Sequence, residues 1–91
     1  MIISRGMLEI LESAMYDGPK SFNDFTKIAI KEKRLSPATV SKRLDELTAN
    51  GNIEEVIIRS KTGRRVIAYK TTEKGKKAVE HAKNLLKVLN V

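Results

Sequence analysis

The segment Leu35 to Gly51 reads LSPATVSKRLDELTANG, and both of its ends carry helix punctuation. Ser36 can accept a hydrogen bond from a free backbone N–H at a helix start. Pro37 falls at the first helical position, where its missing N–H is no loss. Gly51, following Asn50, tolerates the positive φ that closes a helix end. The spacing predicts a helix over residues 36–50. Val40, Leu44 and Leu47 recur four and three apart and make one apolar stripe. At about 100° per residue, Ala38, Lys42, Asp45 and Ala49 lie opposite that stripe, with Thr39 and Ser41 on the flanks. The helix therefore has a narrow core face and an outer face that is small and polar near its start, with one cation at its middle. A solvated surface helix usually carries longer side chains there. Small ones let the backbone approach the floor of a groove.

Ninety-one residues make one small domain, read as 1–91. A domain of this size buries a modest fraction of its surface, so dimerisation would add useful core. Eighteen Lys and Arg against eleven Asp and Glu give a formal charge of +7, which points to a polyanionic partner. Without cysteine there is no disulfide framework, thiolate zinc site or redox role. The N-terminal stretch is too short and too acidic in its apolar part for a signal peptide. No apolar run approaches the roughly 20 residues that span a membrane. The expectation is a cytoplasmic protein with no membrane partner. Abundant Lys and Glu without Gln or Cys also suggest a thermophilic source.

Ile3, Met7, Leu8, Ile10, Leu11 and Met15 share a broad helical face, which predicts a first helix from about Ser4 to Tyr16, ended by Asp17, Gly18 and Pro19. Ser21 should cap a second helix, with Asp24 favouring its N-terminal dipole end. Phe22, Phe25, Ile28 and Ala29 supply its apolar face, and the cations of Lys31 to Arg34 (KEKR) should close it. Two helices joined by so short a link form a helix-turn-helix. Beyond Gly51, Ile53–Ile58 and Val66–Tyr69 are β-branched and read as strands. They flank Arg59–Arg65 (RSKTGRR), where Gly63 permits a turn, so the pair is a hairpin with a basic tip. Thr71 and Thr72 offer an N-cap to a last helix over 72–91, in which Ala78, Ala82, Leu85 and Leu89 repeat four, three and four apart and Val79 and Leu86 widen the stripe.

Helix, helix, capped helix, basic hairpin, helix is an α+β order, mainly α with one small β-hairpin. SPATVSKRLDELTANGNIEE, then the basic hairpin, then YKTTEKGKKAVE, resembles the small winged helix-turn-helix transcriptional regulators of the MarR-like and HxlR-like kind. The likeness runs through the whole chain and is tightest from Ser36 to Glu80. It implies a three-helix core, a basic wing and a long C-terminal helix, in a prokaryotic or archaeal DNA-binding regulator that is often a homodimer. In these families a helix with the S-x-x-[TV]-[VL]-S-x-x-L-x-x-L-x-x-x-G pattern reads the major groove. The hairpin is the wing, and a T-x-K-G step opens the helix after it. The extra helices with which larger relatives build a ligand pocket are absent, and no small-molecule site is legible.

On that architecture Ala38, Thr39, Ser41 and Lys42 are the candidates for base edges. Lysine can donate to guanine O6 and N7, hydroxyls serve several bases, and a threonine methyl can touch a thymine methyl. Ser36 and Pro37 lie at the helix N-terminus, which attracts a phosphate, although capping alone would explain Ser36. Arg43 sits nearer the core stripe, where a phosphate contact or a salt bridge fits better than base reading. Arg59, Lys61, Arg64 and Arg65 should hold backbone phosphates or enter a minor groove. A solvated basic hairpin is the bland alternative. The last helix, about 27 Å long at 18 residues, should project past the core and pair with a partner's copy. Ile3, Met7, Ala78, Ala82, Leu85, Leu86 and Leu89 are the candidates for that interface. Two recognition helices about 34 Å apart would then match successive major grooves.

His81 is the sole histidine, and nothing could complete a zinc site with it. Glu54 and Glu55 are adjacent on a strand, so they face opposite ways and cannot act as a catalytic pair. The sequence makes no case for an enzyme or a cofactor. Three other readings stay open: a non-specific architectural DNA coat, a winged-helix protein-interaction module, and an RNA binder. The basic wing disfavours the module. The lack of aromatics in the wing or on the outer helix face disfavours RNA.

Overall fold

Ser21, Ser36 and Thr72 each open a helix by the same chemistry. In the computed structural model, which describes residues 6–30 and 32–89, each hydroxyl accepts a hydrogen bond from the backbone N–H three residues on: Asp24, Thr39 and Gly75. The elements run α1 (Met7–Ser13), β1 (Lys20–Ser21), α2 (Phe22–Phe25), β2 (Ala29–Ile30), β3 (Lys33–Arg34), α3 (Pro37–Ala49), β4 (Ile53–Arg59), β5 (Arg65–Thr71) and α4 (Glu73–Val88). Helix α3 packs against α1 and α2, α4 packs against α1, and a three-stranded antiparallel sheet, ordered β1-β5-β4, joins them. The architecture is a winged helix-turn-helix of α+β class.

The core is made where the apolar stripes meet. Ile10, Leu11 and Ala14 of α1, Phe25 of α2, Val40, Leu44 and Leu47 of α3, Ile53 of β4 and Val79 of α4 are all buried in one cluster. Phe25 also meets Tyr69 edge to face, with ring centroids 5.9 Å apart and planes 62° apart. This pairing, favoured by the ring quadrupoles, ties α2 to the wing strand β5. Met7, expected at an interface with a second copy, belongs to this core and is 3% exposed.

Two expected helices are shorter than the sequence reading had them. Helix α1 starts after Gly6, at φ 85°, and ends at Ala14. Asp17 and Gly18 turn the chain at φ 60° and 83°, and residues 1–5, with Ile3, lie outside the described residues. Helix α2 is one turn only. Its capping box holds, since the Asp24 carboxylate accepts from the Ser21 N–H at 2.9 Å. Beyond it, however, residues 28–30 and 32–35 leave the helical path. Ala29 pairs with Arg34 and Ile30 with Lys33 in a small antiparallel hairpin. KEKR is therefore not a cationic helix end. Helix propagation there would have to bury charges, because residues 31–34 offer no apolar position before Leu35. The hairpin instead buries Leu35 at 4% exposure and closes with the Leu35 N–H donating to the Ile28 carbonyl at 3.0 Å. Strand β1 was not legible either, because two residues cannot show an alternation. It is fixed by β5, with Lys20 opposite Tyr69 and Ser21 opposite Ala68.

The T-x-K-G step at Thr72–Gly75 has a physical role in joining α3 to α4. Past the end of α3, Gly51 takes φ 76° and the chain reverses. The Thr72 hydroxyl donates to the Gly51 carbonyl at 2.7 Å, and the Thr72 N–H donates to the Asn52 carbonyl at 3.0 Å. The Lys74 ammonium donates to the Asn50 carbonyl, placing a cation at the C-terminal dipole end of α3. Gly75 then lies so close that a Cβ there would collide with the Asn52 carbonyl oxygen and stand 2.6 Å from Thr71 Cγ2.

Two glycine substitutions should therefore separate by mechanism. Gly75→Ala must push backbone away from backbone and should cost about 3 kcal/mol or more, at or beyond the upper end of ordinary overpacking. Gly51→Ala meets open space and should cost only the left-handed backbone penalty, about 1–2 kcal/mol. Urea unfolding of both variants measures the difference.

Candidate nucleic-acid interface

The outer face of α3 forms as its sequence dictates. Ser36 accepts from the Thr39 N–H at 3.1 Å and donates to Thr39 Oγ1 at 2.9 Å, so the cap occupies its hydroxyl. Pro37, Ala38, Ser41 and Lys42 are exposed, and Thr39 is half-buried. Lys42 has no acid partner among the described residues. Arg43 lies beside the core stripe, 8% exposed. Its guanidinium reaches Glu46 at 3.4 Å, and its Nε is buried with no hydrogen-bond partner. Of the two roles offered for Arg43, the salt bridge is the one the structure forms.

The wing is β4 and β5 joined by a tight turn. The Gly63 N–H donates to the Ser60 carbonyl at 2.9 Å, with Gly63 at φ 84°. The Ser60 N–H donates to the Arg64 carbonyl at 2.8 Å, and the Ser60 hydroxyl accepts from the Arg64 N–H at 3.2 Å. Arg59 and Arg65 stand directly opposite each other across the two strands. Like charges so placed repel. Arg59 turns away to donate to the Gly63 carbonyl at 3.0 Å. Arg59, Lys61, Arg64 and Arg65 are all exposed, and none has an acid partner among the described residues. The sequence put this charge on the hairpin but did not reveal the next pair on the same face of the wing. Ile57 and Ile67 face each other across the strands at 61% and 55% exposure. Their position in an alternating strand gave no sign of which face would be uncovered.

Burial raises the Tyr69 phenol above its ordinary value, and the carboxylates of Glu55 and Asp45 add to the rise.

Helix α4 divides lengthwise. Gly75 and Val79 are buried, Ala78 and Ala82 are half-buried, and beyond them Leu85, Leu86 and Leu89 are 51%, 40% and 59% exposed. Lys83 reaches Glu12 of α1 at 3.5 Å. Among the described residues no group of His, Asp or Glu assembles that could hold a metal, and no helix is long and apolar enough to cross a membrane.

The buried, half-satisfied Arg43 allows a test of what it contributes. A well-packed apolar residue of similar length often replaces such a charge at no loss. Arg43→Met should leave the unfolding free energy within about 1 kcal/mol of the parent or raise it. Chemical denaturation with an unchanged m-value would check it.

No protein-family model matches the chain, and no curated protein sequence does. Solved structures do. A PadR-family transcription regulator from hypervirulent Clostridium difficile superposes with a TM-score of 0.80 at 19% identity, over 96% of this chain and 92% of that one. The transcriptional regulator BldR from Sulfolobus solfataricus gives 0.68 at 22% identity, over 96% of this chain and 58% of its own. A transcriptional regulator from Clostridium thermocellum gives 0.62 at 22% identity, over 93% and 86%. All three are transcriptional regulators and none is an enzyme. At these identities the likeness shows the winged helix-turn-helix fold.

Proposed function

We propose that this chain is a sequence-specific, double-stranded-DNA-binding transcriptional regulator without enzymatic activity or cofactor, acting in the cytoplasm. Helix α3 enters the major groove, and the wing lies on the backbone or in the adjoining minor groove. The observation that carries this reading is the pairing of an exposed, small and polar face on α3 with a hairpin whose exposed cations have no acid partner among the described residues. Ala38, Thr39, Ser41 and Lys42 read base edges, Ser36 and Pro37 bring the helix start to a phosphate, and Arg59, Lys61, Arg64 and Arg65 grip the backbone. The fold likeness to transcriptional regulators, one of them of the PadR family, supports the same class, and it does not bear out the MarR-like or HxlR-like kind read from the sequence. An architectural DNA coat shares the charge and differs only in having no sequence preference.

The working unit is a homodimer joined through α4. Leu85, Leu86 and Leu89 form an apolar strip on the exposed end of α4, continuous with the half-buried Ala78 and Ala82. Two copies packed there would present two recognition helices to one face of a duplex, on a roughly palindromic site.

Selection from a randomised duplex library at about 0.15 M salt tests the reading. Enrichment of a two-fold symmetric motif is expected, and tight binding without enrichment would make the chain a coat. Two substitutions follow. Arg64→Ala should weaken binding to all sequences alike and lower the salt slope by about 1 per protomer, as a lost phosphate contact does. Leu89→Glu should shift the chain to monomer in sedimentation at micromolar concentration while leaving its thermal melt in place. A dimer that survived would rule out this face.

A further inference from the structure

The hairpin that replaces the expected end of α2 carries two cations the wing-and-helix picture does not use. Lys33 and Arg34 form strand β3, and both are exposed. Neither has an ion pair or side-chain hydrogen bond among the described residues. They are not on a loose tail. Ala29 and Ile30 pair with them, and the buried Leu35 anchors the strand one residue on. The chain turns between the strands with Glu32 at φ 70°.

Their placement relative to α3 is the informative part. Lys33, Arg34, Leu35, Ser36 and Thr39 line an open cleft of about 170 Å³, so the hairpin stands beside the first turn of α3 on the Thr39 side. At about 100° per residue, Thr39 lies about 60° from Lys42, so the hairpin borders one flank of the outer face of α3. A helix lying in a major groove about 12 Å wide has a phosphate ridge along each flank.

We propose that the β2–β3 hairpin is a second arm for duplex DNA, in which Lys33 and Arg34 hold phosphates on the groove rim beside the first turn of α3. This deepens the DNA-binding reading and rests on it. The arm has no aromatic side chain on which a base could stack, so its ligand is the backbone rather than an unpaired base. Glu32 at the turn sets a limit, since it opposes phosphate at the tip and leaves the work to the strand residues. Phosphate contacts there add affinity and fix the register of α3 without reading sequence.

The test is a salt titration of duplex binding by the full chain, using the parent, Arg64→Ala and the double substitution Lys33→Gln with Arg34→Gln. The probe is a fixed duplex enriched by the parent, or one mixed-sequence duplex if none is enriched. The double variant should lower the salt slope by about 1.8 per protomer and weaken binding on the order of 30-fold at 0.15 M salt, with the preferred sequence unchanged. Loss of slope in Arg64→Ala alone, with the double variant matching the parent, would overturn the second arm and leave the DNA reading standing. A parent that binds no duplex would overturn both. Should the double variant melt early, Glu32→Lys decides, because it adds a cation to the same arm. A steeper slope supports the arm and an unchanged one refutes it.

Discussion

The start of α4 and the end of α3 meet at a separation that only glycine permits, because a Cβ at position 75 would run into the carbonyl of Asn52. Around that contact the Thr72 hydroxyl takes the Gly51 carbonyl, and Lys74 takes the Asn50 carbonyl. Carbonyls left over at the end of one helix are thus satisfied by the residues that begin the other. The consequence is mechanical. The wing strands leave and return through the same few residues, since Ile53 at the base of β4 pairs with Thr71 at the end of β5. Thr71 is itself held, its hydroxyl donating to the Leu11 carbonyl at 2.8 Å. Recognition helix, wing base, α1 and α4 are therefore fixed to one junction. The direction of α4 sets the direction of α3.

Above that junction the molecule spends stability on charge. Arg59 faces Arg65 at the end of the wing, where opposite charges or a β-branched pair would strengthen the hairpin. On the other face of the same strands Glu54 stands opposite Lys70, which is the favourable choice. On the proposed DNA-binding reading, the contrast within one hairpin puts the repulsion where phosphate would relieve it. Phosphate oxygens between two guanidinium groups turn an unfavourable pair into two charge-assisted contacts. Lys33 and Arg34, beside the first turn of α3, are likewise without acid partners among the described residues and held on paired backbone.

What was legible in the sequence was what local chemistry decides. Ser36, Pro37 and Gly51 bound α3, and Thr72 opens α4, because capping depends on a few neighbouring atoms. The T-x-K-G step was legible as a pattern, and its cause, the approach of Gly75 to Asn52, needed the tertiary structure. The end of α2 misled because Ile28 and Ala29 fit a helical face, while the deciding contact, burial of Leu35 against the α1 start at Gly6, is made by distant residues. Met7 shows the same limit. Its apolar side chain suits a core or an interface equally, and only packing separates the two. Arg43 was placed near the core stripe by periodicity, which could not show that its guanidinium would turn back to Glu46 rather than outward.

The same reasoning explains where α4 stops serving its own domain. Gly75, Val79 and Ala82 lie on one side of the helix and face the core, and the Lys83–Glu12 pair holds that side against α1. Leu85, Leu86 and Leu89 continue the stripe after the described core has ended, with 16 residues giving a helix about 24 Å long. Three exposed leucines in little more than one turn are costly to leave in water, and a domain of this size has little other surface with which to cover them. Joined to a junction that fixes the direction of α3, a second copy seated on that strip would set both the distance and the angle between two recognition helices. The apolar end of α4 and the polar face of α3 are then two parts of one geometric specification, related through Gly75.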